Sequence, residues 1–178
     1  MSFLRRAWNA VLNALGAIVG YLGMIGLEYP VSEYKFKVSD TLTRGTRLSA
    51  GDVAELVNDG FRLIVNFCAE NNDDAQPSAI HGIKAVHIPV MDNQPPDLDQ
   101  MIYFLTLVNE PMNQPAYCHC QAGKGRTGVA VACYRIAIQG WAADDAIIEA
   151  KRFGMAMPSQ EKFLRKFAED WSAGSIRL

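Results

Sequence analysis

The apolar positions of this chain fall into three patterns. Over residues 7–27 they are nearly continuous, with no charged residue, and Arg5 and Arg6 stand just ahead. About 20 such residues are what a helix needs to cross a bilayer, and basic residues before the run fit a membrane signal-anchor. Trp8 and Tyr21 suit the interfaces, and Gly16 and Gly20, four apart, suit close helix pairing. Asn9, Asn13 and four glycines weaken the hydrophobicity, and no small-x-small cleavage site follows. An apolar helix is therefore expected over 1–30, ended by Tyr29-Pro30. Its main expected role is a single-pass anchor. The alternatives are a helix packed on the domain or lying at an interface, and a removed signal peptide.

The second pattern is short and β-like. Residues 34–38 and 41–48 read as extended pieces, 62–67 and 83–90 as strands, and 116–119 as a short buried strand. The third has helical spacing. Ser49 opens a helix over 50–59 that Gly60 stops. Asp97 caps one over 98–110, with Met101, Phe104, Leu105 and Val108 on its apolar face. Further helices are predicted from near Thr127 to Gln139-Gly140, over 142–153 with Gly154 as the stop, and from Pro158-Ser159 to about Trp171. Residues 70–78, 91–96 and 111–115 read as loops, the acidic residues of the first being solvated. Strands alternating with helices predict an α/β domain over 31–178, a central, mostly parallel sheet flanked by helices. Its ligands belong beyond the carboxyl ends of the strands.

Composition adds bounds. A length of 178 residues, 49% of them hydrophobic, suits one domain with an appendage. A net charge of −2 gives no general attraction for nucleic acid, so any anionic ligand must be attracted locally. Four irregularly spaced cysteines describe no disulfide framework, and His81, His87 and His119 have no metal-ligand spacing. No metal or cofactor is implied.

The chemistry concentrates in Ala116-Tyr-Cys-His-Cys-Gln-Ala-Gly-Lys-Gly-Arg-Thr-Gly128. A strand runs into a glycine-rich loop and then into a helix. Such a loop turns successive backbone N–H groups of Gln121, Ala122, Gly123, Lys124 and Gly125 toward one point, where the helix also aims its positive end. Arg126 supplies a planar fork for two phosphate oxygens. The same field favours a thiolate at Cys120, the nucleophilic form of the side chain. His119 would orient the loop from behind, and Thr127 would donate a hydrogen bond to the sulfur as it leaves. Asp92, on a loop stiffened by Pro95-Pro96, is the candidate general acid, with Asp97 and Asp99 as alternatives. Cys118 and Cys133 are expected to be core.

His119-Cys120, five residues, then Arg126-Thr127-Gly128 resembles the signature of the cysteine-dependent protein tyrosine and dual-specificity phosphatases. Within them it is most similar to the phosphatase and tensin homologue group, whose loop also carries Ala-Gly-Lys-Gly-Arg-Thr-Gly. Asn66-Phe-Cys-Ala-Glu70 and Val90-Met-Asp-Asn-Gln-Pro-Pro96 support the likeness, which covers about residues 40–170. The resemblance implies a dual-specificity-phosphatase-like fold and hydrolysis of phosphomonoesters through a phosphocysteine, with Asp92 as acid on a closing loop. It also implies that Cys68, matching a cysteine of that group, can pair with the nucleophile. Cys68 and Cys120 are expected at the ends of neighbouring strands, about 5 Å apart.

Lys124, as a second cation in the loop, favours phosphoinositides or inositol phosphates. Gln121 replaces the lysine of the lipid-phosphatase members and favours phosphorylated protein. A catalytically weak phosphopeptide-binding module and a rhodanese-like sulfurtransferase are the alternatives. The expected location is at a membrane through residues 7–27, on a side left open by basic residues both before the run and after it at Lys35 and Lys37. A cytoplasmic location is expected if the helix packs on the domain.

Overall fold

The computed structural model describes residues 35–178. The apolar segment expected over 1–30 lies outside the described residues. The elements in chain order are β1 (Lys35–Lys37), β2 (Leu42–Gly45), α1 (Ala50–Asn58), β3 (Leu63–Cys68), α2 (Ala75–His81), β4 (Lys84–Val90) and α3 (Leu98–Asn109). A 3-10 turn (Pro111–Asn113), β5 (Ala116–His119), α4 (Gly125–Ala137), α5 (Ala143–Arg152) and α6 (Pro158–Ser172) complete the domain.

The five strands form one sheet in the order β1-β2-β5-β3-β4. The β1–β2 pair is antiparallel and the other three pairs are parallel, as the alternation of strands and helices predicts. Side chains alternate across β3 and β5. Leu63, Val65, Phe67, Ala116 and Cys118 enter the large core beneath α3, α4, α5 and α6. Ile64 and Tyr117 enter a smaller core with Leu48, Val53, Leu56 and Ile83, beneath α1. Both faces of these strands are covered, which explains their nearly continuous apolar character. Cys118 and Cys133 are fully buried in the large core.

Helix α2, strand β2 and helix α4 differ locally from expectation. Residues 75–81 form helix α2 where a loop was expected; Ser78 is its one buried residue, so it carries no apolar periodicity. It closes at Gly82, whose φ is +71°. Strand β2 stops at Gly45 rather than reaching Leu48, because the next backbone groups bond elsewhere. Arg47 N–H donates to the carbonyl of Gln121 at 3.2 Å, and Tyr117 Oη donates to the carbonyl of Thr46 at 2.9 Å. Helix α4 starts at Gly125, two residues before Thr127, and ends at Ala137. Among the described residues no helix is long and apolar enough to cross a membrane.

Candidate active site

Central strand β5 carries the chain to His119, and α4 begins at Gly125. Between them Cys120 is 3% exposed, Gln121, Ala122 and Lys124 are exposed, and Gly123 is buried. Gly123 has φ +67°, and a Cβ there would lie 2.6 Å from the carbonyl oxygen of Gly45. Only glycine fits on both counts. Lys124 holds the N-cap position of α4 without a side-chain cap, so the amides that open the helix are left for another acceptor. Gly125 faces the amide of Gln160, which a Cβ would approach to 3.1 Å. Gln160 itself is buried and its Nε2 donates to the carbonyl of Gln94 at 3.2 Å, joining the start of α4 to the loop that carries Asp92.

Arg126 is buried near Cys120 in a defined orientation. Its Nη1 donates to Glu70 Oε2 at 2.6 Å and to the carbonyl of Val90 at 3.1 Å, while Nη2 donates to Glu70 Oε1 at 2.7 Å. Burial alone would push the guanidinium down, but the grip of Glu70 leaves it above its ordinary value. The same bonds hold the Glu70 carboxyl at about 2. Glu70 thus occupies the end of the fork. Nε remains buried without a partner, and with Nη2 it forms the side edge that a phosphate can grip. Asp92 Oδ1 lies 3.3 Å from Nη2, and its side chain is 68% exposed on the loop after β4. The acid candidate and Arg126 therefore stand side by side. Asp97 instead belongs to the start of α3, where its N–H donates to Gln100 Oε1 at 2.9 Å.

The loop rests on a buried polar network. His119 Nδ1 faces the carbonyl of Cys120 and Nε2 faces Asp74 Oδ2, both at 3.3 Å. Asn66 Nδ2 donates to Asp74 Oδ1 at 2.7 Å, and Asn66 Oδ1 accepts from the N–H of Cys68 at 2.8 Å. Burial pushes the Asp74 carboxyl up, but the bonds and charge of His119 outweigh it and leave it below the usual range. His119 thus joins the Cys120 carbonyl to the buried Asp74 carboxyl. Thr127 is buried and its hydroxyl has no partner, so the expected bond to sulfur is not formed in this state.

Strands β3 and β5 are neighbours, paired up to Asn66 and His119. Continuing that register sets Cys120 opposite Phe67, one residue from Cys68. Both thiols are free and buried, and burial pushes Cys68 up to about 12, partly opposed by the charge of Arg126.

Sequence reasoning missed Glu70, Asp74 and Gln160. Glu70 and Asp74 sit in a polar stretch without periodicity, read as solvated. The available signal was their closeness to the carboxyl end of a buried strand, where a site belongs. Gln160 sits one turn into an amphipathic helix and carried no signal.

Residues 32–166 match the family model described as DSP-PTPase phosphatase fused to NAD+ kinase. The chain is 29% identical over 143 residues to the dual specificity protein phosphatase TpbA of Pseudomonas aeruginosa, covering 80% of this chain and 65% of that protein. It is 31% identical over 117 residues to the phosphatidylinositol 3,4,5-trisphosphate 3-phosphatase and protein-tyrosine-phosphatase PTEN1 of Arabidopsis thaliana, covering 60% of this chain and 27% of that one. The chain thus spans less than two thirds of the length of either relative. The crystal structure of PTPMT1 in complex with PI(5)P shares the fold, with a TM-score of 0.70 at 21% identity over 81% of this chain and all of the other. The chain belongs to the dual-specificity phosphatase family of that model, within the cysteine-dependent phosphatases.

Proposed function

We propose that the domain hydrolyses phosphomonoesters through a phosphocysteine at Cys120. One observation carries this most directly. Arg126 lies beside Cys120 with its end held by Glu70 and its buried Nε unpaired, at a helix start that no side chain caps. A phosphoryl group seated there would receive the loop amides and the side edge of Arg126, both aimed at its equatorial oxygens. Cys120, as the thiolate, attacks phosphorus; the S–P bond forms as the P–O bond to the leaving group breaks. Asp92 gives that oxygen its proton. Water then attacks phosphorus, the S–P bond breaks, Asp92 takes the water's proton, and inorganic phosphate leaves. A phosphate on Nε and Nη2 would also take the contact that Asp92 makes with Nη2, turning the carboxyl toward the leaving group.

Phosphoinositides or inositol phosphates are the proposed substrates, supported by the exposed Lys124 at the helix start and by the lipid named for the Arabidopsis relative. Phosphorylated protein is the second reading, favoured by Gln121 and by the name of the Pseudomonas relative. Family membership favours catalysis over a phosphopeptide-binding module or a sulfurtransferase. We further propose that residues 7–27 attach the chain to a membrane, on the strength of their sequence alone, and that Cys68 is the redox partner of Cys120. Released phosphate is to be measured with p-nitrophenyl phosphate, phosphoinositides, inositol phosphates and phosphopeptides, without added metal. Wild type should turn over and Cys120→Ser should not, while still binding phosphate. Substantial turnover by Cys120→Ser would overturn the mechanism.

A further inference from the structure

We propose that Arg44 is a positioning residue of the phosphate loop, a buried cation whose counter-charge is the bound phosphate. The inference rests on the phosphate site proposed above and adds a residue outside the signature. Arg44 lies on β2, in register with Cys118 of β5, and is 2% exposed. It is the largest of the fully buried side chains among the described residues. Nη2 donates to the carbonyl of Gly123 at 2.6 Å, and the guanidinium carbon lies 4.1 Å from the centre of the Phe153 ring. Nη1 is buried and has no hydrogen-bond partner. Among the described residues no carboxylate forms an ion pair with it. Glu149, whose charge reaches it, is held by Arg135 at 2.6 and 2.9 Å.

A guanidinium in this setting is costly to keep. One neutral carbonyl and one aromatic face do not replace a counter-ion, and a buried charge without one is normally selected against. Burial accordingly pushes its value down. The geometry shows what the cost secures. The carbonyl of Gly123 and the N–H of Lys124 belong to one planar trans peptide, so they point in opposite directions. With the oxygen pinned outward on Arg44, the N–H is directed into the loop. A cation on the oxygen also polarises the peptide and strengthens that N–H as a donor. The positive φ of Gly123 and its close approach to Gly45 leave the same turn little room to rearrange. Phosphate in the loop would add to the negative charge that the Cys120 thiolate sets near Arg44, so burial of this cation and binding of the anion favour each other.

The test is thermal unfolding of wild type, Arg44→Met and Arg44→Lys at increasing inorganic phosphate, with the phosphate Kd from calorimetry. Wild type should rise in Tm with phosphate. Without phosphate, Arg44→Met should be as stable as wild type or more so, because it removes an uncompensated buried charge. Its phosphate-induced rise should fall below half, with Kd weaker by about tenfold. Arg44→Lys, which keeps the charge, should retain most of the rise. A merely structural arginine gives the opposite result: Arg44→Met loses Tm equally with and without phosphate and keeps the full rise, which overturns the proposal. Should Arg44→Met fail to fold, Arg44→Gln takes its place, keeping a donor for Gly123 without the charge; a full phosphate rise again overturns the proposal and a diminished one bears it out. No rise in wild type would overturn the phosphate site itself and the proposal with it.

Discussion

Replacing Glu70 by Gln tests how Arg126 is held. The substitution keeps the side-chain length but removes the charge and one of the two acceptors that meet Nη1 and Nη2 at 2.6 and 2.7 Å. Holding the Glu70 carboxyl at about 2 instead of 4.5 would correspond to about 3 kcal/mol in full. The side chain is 45% exposed, so solvent screening reduces this to about 1 kcal/mol. In a domain of this size that is about 2–4 °C in Tm. The catalytic effect should be larger, because a mis-aimed fork loses its phosphate bonds. A charge-assisted bond is worth about 1.5–3 kcal/mol, or about 10- to 100-fold in kcat/KM. The folded value lies below the unfolded one, so Glu70's contribution is fully present above about pH 4.5 and is lost as pH falls toward about 2. The Tm gap between wild type and Glu70→Gln should therefore be constant near neutrality and close in acid. The assays are p-nitrophenyl phosphate kinetics and calorimetry from neutral pH to about pH 2.5. A kcat/KM within about twofold of wild type would refute the orienting role. Higher activity in the variant would show instead that Glu70 competes with substrate.

Asp92→Asn should lower activity most on alkyl phosphates and least on p-nitrophenyl phosphate, whose leaving group needs little protonation; equal losses would move the acid to Asp97 or Asp99. Gly123→Ala combines a strained φ of +67° with a Cβ 2.6 Å from the oxygen of Gly45. It should cost about 2 kcal/mol or more and most of the activity, and an unchanged Tm would contradict the described contact. Under mild peroxide followed by a thiol reductant, wild type should lose and regain activity, with a Cys68–Cys120 linked peptide in the mass spectrum. Cys68→Ser should recover less after stronger oxidant, and equal recovery with no linked peptide would leave Cys68 as packing.

The parts of the site legible in the sequence are those that lie together in it. Cys120 through Arg126 carries its spacing, its glycines and its strand-loop-helix context in one stretch. The order of apolar runs likewise revealed the parallel sheet, since β3 and β5 are covered on both faces. The parts that were not legible act across the fold. Glu70 reaches Arg126, 56 positions away, from a turn with no pattern of its own. Asp74 is buried by the same turn, although an acidic residue among Asn and Asp reads as solvated. Arg44 left a faint trace, since period-two alternation puts it on the face of Leu42, an inward position for a charge. Local periodicity cannot show which distant carbonyl such a charge meets.

The central place of β5 bears on how the domain folds. On either side of it lie segments made earlier, the β1–β2 hairpin on one flank and β3-α2-β4 on the other. Before β5 arrives these two units share no strand pairing, because β2 and β3 both pair with β5 rather than with each other. Inserting β5 closes chain loops back to β2 and β3 at once, the entropically slow kind of contact. The strand that joins the halves also delivers Cys120, and Glu70, Asp92 and Arg44 reach the loop only from the two units it unites. Recovery of activity during refolding should therefore coincide with the final cooperative step, and earlier compact species should show strand signal without turnover.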